Sequence, residues 1–270
     1  MNSPLLDSVV VVLREVLEFS LLVGVLLVAG RCAALRARWL GPALLAGLAG
    51  AGLYGARLRV VSTWFDGVGY EVVNAGLQIL VYALILAVIG LWVRTRHRQP
   101  ARALPWVMAG AVALAVTREG SEIFLYFSAF IGRPRAVPDL LIGAVLGIGV
   151  GFSIGALLYY LLLAFRRPVT FALTVGLLAL VGAGMWSQAT MLLVQADWLP
   201  ASQPLWNSSA WLPESSLLGQ LLYALIGYEA TPGPWQVGLY GASILLALGV
   251  AAAAACGGDM AIHSRRRPPR

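Results

Sequence analysis

Apolar residues fill this chain in long blocks, and polar positions gather in short stretches between them. Blocks bounded by Arg, Pro or Gly predict seven helices near the twenty or so residues that cross a hydrocarbon core. They run from Leu5 to Ala29, Trp39 to Ala56, Val72 to Val93, Leu104 to Ile131, Leu140 to Phe165, Val169 to Val194, and Val237 to Ala255. The pattern predicts an all-α membrane protein with seven transmembrane helices in one domain over 1–264. Its parts are two three-helix repeats at about 5–93 and about 104–194, a connection over 195–236, a last helix over 237–255, and a basic tail at 265–270.

Two blocks are interrupted near their centres by almost the same pentapeptide. Arg14-Glu15-Val16-Leu17-Glu18 lies in the first, and Arg118-Glu119-Gly120-Ser121-Glu122 lies in the fourth. An Arg or a carboxylate at mid-membrane costs on the order of 2.5 to 3.5 kcal/mol, so such residues face a polar interior, have partners and mark ion or substrate pathways. Two structural Arg–Glu pairs would be the plainer explanation, but they would not need the second Glu of each copy.

Composition agrees with a polytopic membrane protein: 60% hydrophobic and 11% charged, with mean hydropathy +0.82. The net charge of +7 does not indicate nucleic acid, because every basic residue is Arg and most lie in short runs between apolar blocks. Arg31, Arg36, Arg38, Arg94, Arg96, Arg98, Arg102, Arg166, Arg167, Arg265, Arg266, Arg267 and Arg270 belong on the cytoplasmic side by the positive-inside rule. The N-terminus is then outside and the C-terminus inside. Three spans separate the motif copies, and an odd number inverts the second, as in carriers built from inverted repeats. The first block lacks a basic n-region, so it is expected to remain as a span.

Gly143, Gly147, Gly151 and Gly155 recur every fourth residue in the fifth helix, a groove for close helix approach; Gly47, Gly50, Gly52 and Gly55 suggest the same for the second. In the long connection, Leu217 to Ile226 reads as a short helix, and Trp198, Trp206, Trp211 and Trp235 suit the headgroup zone. Cys32 and Cys256 show no metal-binding spacing. Asn74, Gln78, Gln188 and Gln195 either bond helix to helix or line a path.

On a helix, Glu15 and Glu18 share a face and Arg14 stands beside Glu18 at i, i+4; Glu119, Glu122 and Arg118 repeat this. Each Arg is expected to hold one carboxylate ionised while the other stays available to a ligand. With Glu71 at the start of the third helix, five carboxylates outnumber two guanidiniums, which repels anions and favours a multivalent cation. Both His residues, His97 and His263, fall in cytoplasmic segments, so the donor set is oxygen only. Fe(III), Mn(II), Mg(II) or Ca(II) fit it better than Cu(I) or Zn(II). A di-iron oxidase would want Glu-x-x-His, and here the fourth position is Glu in both copies.

Arg-Glu-x-x-Glu in the first and fourth of seven helices resembles the oxidase-dependent iron permease family, the high-affinity iron transporters of fungi and their bacterial relatives. Tyr70-Glu71 opening the third helix is similar to that family's acidic start, and Leu225-Ile226-Gly227-Tyr228 with Pro232 to its segment before the last span. The resemblance implies iron binding by Glu15, Glu18, Glu119 and Glu122, with Glu71 as a further ligand and Arg14 and Arg118 as motif arginines. Val16 departs from the commoner Gly and is expected to tighten helix packing.

It also implies a multi-pass protein of a plasma or bacterial cytoplasmic membrane, with no intrinsic cofactor and iron as transported substrate. The implied partner is an oxidising one: a multicopper oxidase in fungi, an extracytoplasmic haem peroxidase with a cupredoxin-like protein in bacteria. Asp197, Glu214 and Glu229 in the long connection are candidates for receiving iron, against the alternative of a solvated loop. A carrier for Mn2+ or Pb2+, and a membrane-embedded carboxylate enzyme or assembly factor, remain the rival readings.

Overall fold

A computed structural model describes residues 4–95, 101–133 and 136–265, the stretch 257–265 as backbone only. Arg96, His97, Arg98, Arg135, Arg266, Arg267 and Arg270, with most of the predicted basic tail, lie outside the described residues. Among those described, the secondary structure is helical throughout: α1 Pro4–Cys32, α2 Leu40–Val61, α3 Gly69–Arg94, α4 Leu104–Ser128, α5 Val137–Ala164, α6 Arg167–Gln195, α7 Leu217–Ile226 and α8 Pro234–Arg265.

Each predicted run falls in one long helix, but several ends move. α2 continues through Arg57 and Arg59 to Val61, because a long Arg stem near a helix end lies along apolar surface while its head stays in water. α3 starts at Gly69, which puts Glu71 in its first turn. α4, by contrast, stops at Ser128, short of Ile131. Proline near the first position starts α4, α5 and α6, where a missing N–H costs nothing.

α2, α3, α5, α6 and α8 are long and apolar enough to cross a membrane. α1 and α4 have comparable length, 29 and 25 residues, and it is their charged motifs that set them apart. Leu45 and Leu53 of α2, Val145 and Leu157 of α5 and Leu245 of α8 are all largely exposed. Bare leucine and valine over several helices would be an aggregating surface in water and are an ordinary one against acyl chains.

α1 packs chiefly on α5, α4 chiefly on α2, and α3 on α6. The first two interfaces correspond residue by residue. Gly147 lies against Val12, Gly151 against Val16 and Gly155 against Ser20; Gly47 lies against Val116, Ala51 against Gly120 and Gly55 against Phe124. Each α1 residue precedes its α4 counterpart by 104 positions, and each α2 residue precedes its α5 counterpart by 100. The expected groove on α5 therefore receives α1, and Ser20 donates across it to the Gly151 carbonyl at 3.0 Å. Gly52, expected in the matching α2 surface, meets nothing.

Leu22, Leu26, Ile85, Ile89, Leu104, Met108 and Leu178 are fully buried and fill one half of the bundle. The charged motifs occupy the other half. Arg14 lies ten residues in from Pro4 and Arg118 ten residues in from Ser128, so both stand about 15 Å from the same end. The long connection closes over that end. Leu205 donates to the Pro232 carbonyl and Ser208 to that of Ala230, both at 2.9 Å, and α7 packs on α6 and α1.

Candidate functional site

The facing of α1 and α4 brings the two motifs together. Glu15, Glu18 and Glu119 are buried, at 4%, 3% and 1% exposure. One oxygen from each lies within 4.8 Å of the others, the spacing of ligands around one cation.

Arg118 holds the group. Its Nη1 donates to Glu18 at 3.1 Å and to Glu119 at 2.5 Å, and its Nη2 pairs with Glu122 at 2.9 Å. Behind Glu18 runs an amide chain: Gln188 Nε2 donates to Glu18 Oε2 at 3.0 Å, and Gln78 Nε2 donates to Gln188 Oε1 at 2.6 Å. All four of α1, α3, α4 and α6 thus contribute to fixing the carboxylates.

Two oxygens remain over. Glu15 Oε2 and Glu18 Oε1 are buried and accept no hydrogen bond. Buried carboxylate oxygens are normally satisfied, because leaving them bare forfeits hydration without return. Oxygens of this kind, converging without sulfur or imidazole, suit a hard cation.

The structure places the expected site residues unequally. The two arginines are not equivalent: Arg118 is buried among three carboxylates, whereas the Arg14 side chain is 43% exposed and reaches Glu18 only by Nε at 3.6 Å. Glu122 joins through Arg118 and is not in the compact three-carboxylate group, and its side chain is 24% exposed. Glu71 is half-buried on α3 and also stands outside that group.

In the long connection, Asp197 is exposed just beyond α6 with φ of 57°. Glu214 is exposed and accepts the Ala230 N–H at 2.7 Å. Glu229 is half-buried; burial first, then the charge of Glu214, push its carboxyl up to about 7. Both belong to a connection whose backbone is hydrogen-bonded, with Glu214 still open to its surroundings.

Two participants escaped the sequence reading in part or whole. Gln188 does bond helix to helix, but it also holds a motif carboxylate; a lone amide in an apolar span was its only signal. Tyr223 lies on α7 with the Arg14 guanidinium 4.5 Å from its ring centroid, and nothing in the sequence connects the two.

A profile of the iron permease FTR1 family matches residues 94–260, more than half of the chain and the whole of the second motif. The chain belongs to the iron permease FTR1 family. The permease is similar to the ferrous iron permease EfeU of Escherichia coli O6:H1 (strain CFT073), with 26% identity over 249 residues covering 85% of this chain and 89% of that one. It is 29% identical over 137 residues to the EfeU proteins of Shigella flexneri and Escherichia coli O157:H7. Those alignments cover 50% of this chain and 57% and 49% of the relatives, about half of their length. No solved structure matches. Family membership makes the permease an iron transporter rather than an enzyme, and the apolar helices make it a multi-pass membrane protein.

Proposed function

We propose that this permease imports iron by binding it between Glu15, Glu18 and Glu119, with Glu122 as a neighbouring carboxylate at the more open edge. The observation that carries the reading is the convergence of three buried carboxylates from two helices, with two of their oxygens accepting no hydrogen bond. An all-oxygen set favours the harder ferric ion, delivered by an extracytoplasmic oxidase or haem peroxidase with a cupredoxin-like protein. The relatives carry the word ferrous in their names, which defines the competing valence.

The topology belonging to this reading has seven spans, α1 to α6 and α8, in a single permease domain of the cell membrane. The two three-helix repeats are inverted, with the N-terminus outside and the C-terminus inside. The constant offsets between the α1–α5 and α4–α2 contacts support a repeat, and the odd number of spans between motifs reverses it. The long connection is then external. Glu214 and Glu229 form its receiving pair, Asp197 stands apart on the same face, and Glu71 flanks the site from the first turn of α3. The apolar half of the bundle separates bound iron from the cytoplasm.

Radiolabelled iron uptake into vesicles tests the reading. Glu15→Gln and Glu119→Gln keep size and lose charge, so each removes saturable uptake while the protein remains folded in the membrane; undiminished uptake by either defeats the site. Parallel assays with ferric citrate and with iron held ferrous by ascorbate decide the valence.

A further inference from the structure

Tyr223 is outside both motifs, on a helix too short to span, yet it is the aromatic ring against which the Arg14 guanidinium lies at 4.5 Å. Its position is well determined. Ser216 caps α7, its Oγ accepting the Gly219 N–H at 3.0 Å. At the other end, Gly227 takes a left-handed φ of 66° and packs on Gly184 of α6, where an added Cβ would stand 2.4 Å from the Gly184 Cα. Backbone meets backbone there, so α7 is seated on α6 in one place and Tyr223, 9% exposed, with it.

Arg14 is the counterpart of Arg118, and it does not do what Arg118 does. Arg118 is 7% exposed and holds carboxylates of both motifs; Arg14 remains at the edge with one long contact to Glu18. Electrostatics alone would draw the Arg14 guanidinium further in, toward Glu15 Oε2 and into hydrogen-bond range of Glu18 Oε1, which lies 3.6 Å from Arg14 Nε; both oxygens are buried and accept no hydrogen bond. A cation over an aromatic face is attracted by the ring quadrupole, and the buried Tyr223 ring holds the guanidinium against that pull.

We infer that Tyr223 is a positioning residue for ion binding: its ring holds the Arg14 guanidinium at the rim, so that Glu18 Oε1 keeps only the long 3.6 Å contact from Arg14 Nε and Glu15 Oε2 stays open to the metal. The inference rests on the proposed carboxylate site and adds to it a residue from the long connection. It makes the connection a component of the site and not only its cover.

The test uses the full-length protein in detergent, with ferric citrate as probe for binding and phenylglyoxal modification of arginine read by mass spectrometry. In the wild type and in Tyr223→Phe, which keeps the ring face, Arg14 is modified at least tenfold faster than Arg118, and iron affinity agrees within about twofold. In Tyr223→Leu, Arg14 becomes as protected as Arg118 and iron affinity falls roughly tenfold. In an Arg14→Gln background, Tyr223→Leu has no further effect.

Equal protection of both arginines in the wild type overturns the inference, and that measurement does not depend on Tyr223→Leu folding. So does an unchanged affinity in folded Tyr223→Leu, an equal loss in Tyr223→Phe, or the same loss without Arg14. Glu119→Gln, run alongside, reads the carboxylate site itself: full iron binding by that variant defeats the underlying reading, whereas its loss with no Tyr223 effect defeats only this one.

Discussion

Arg118 Nη1 lies 3.1 Å from Glu18 Oε2, so the guanidinium of one motif serves the carboxylate of the other. The two pentapeptides are one ionic unit divided between α1 and α4.

Removing its centre strands three carboxylates. Breaking a buried ion pair from one side costs about 3–5 kcal/mol, so Arg118→Ala is expected to lower yield and melting temperature sharply in detergent. Arg14→Ala, at a half-exposed site with one long contact, should cost no more than about 1 kcal/mol. Fluorescence-detected size exclusion after a temperature series compares them; equal losses would contradict the inequivalence of the two arginines.

Val16 and Gly120 occupy the same motif position, and their neighbours are exchanged to match: Val16 meets Gly151, and Gly120 meets Ala51. Gly151→Ala would place its Cβ 2.6 Å from Val16 Cγ1, an overpacking expected to cost about 1–3 kcal/mol. Val16→Gly with Gly151→Ala reproduces the Gly120–Ala51 arrangement and should recover part of that loss. The two substitutions then couple by about 0.5–3 kcal/mol in a double-mutant cycle of melting temperatures. Additive losses would show that the corresponding interfaces are not interchangeable.

Gln188→Leu removes the donor to Glu18 and the acceptor for Gln78 together. With Gln78 left buried and bare, the expected cost is about 1–3 kcal/mol, and iron uptake falls because Glu18 is no longer held. Adding Gln78→Leu should restore stability without restoring uptake. Uptake at wild-type rate in Gln188→Leu would remove the amide chain from the site.

Glu229, raised to about 7 chiefly by burial, binds its proton more firmly in the folded cap than in an opened one. The cap therefore has its full stability below the ordinary carboxylate range and loses this contribution as pH rises through about 7. Hydrogen exchange over 220–233 should accelerate from about pH 4.5 to about pH 7 beyond the chemical rate and level off above that, and Glu229→Gln should abolish the excess. An excess that survives in the variant would assign it to another group.

The helices were legible because a span is announced by composition, and the close approach of α1 to α5 by four regularly spaced glycines. That Glu15, Glu18 and Glu119 converge was legible too, since charges at mid-block must face inward. Glu71 could not be assigned a depth from the pattern, because a residue in the first turn of α3 has no periodic constraint, and it stands outside the compact three-carboxylate group. The two arginines looked alike because the motifs are; what separates them is α7, which arrives from two hundred residues away with Tyr223. Contacts of that kind leave no trace in local pattern.

The glycine interfaces govern what can move together. Gly147, Gly151 and Gly155 are packed on α1, and Gly47 and Gly55 on α4, so closely that an added Cβ would clash. Any opening of the bundle toward the opposite face has to carry α1 with α5 and α4 with α2. In the proposed transport cycle the moving bodies would thus be pairs drawn from both halves of the chain, with the Arg118 ion pairs on the seam between α1 and α4.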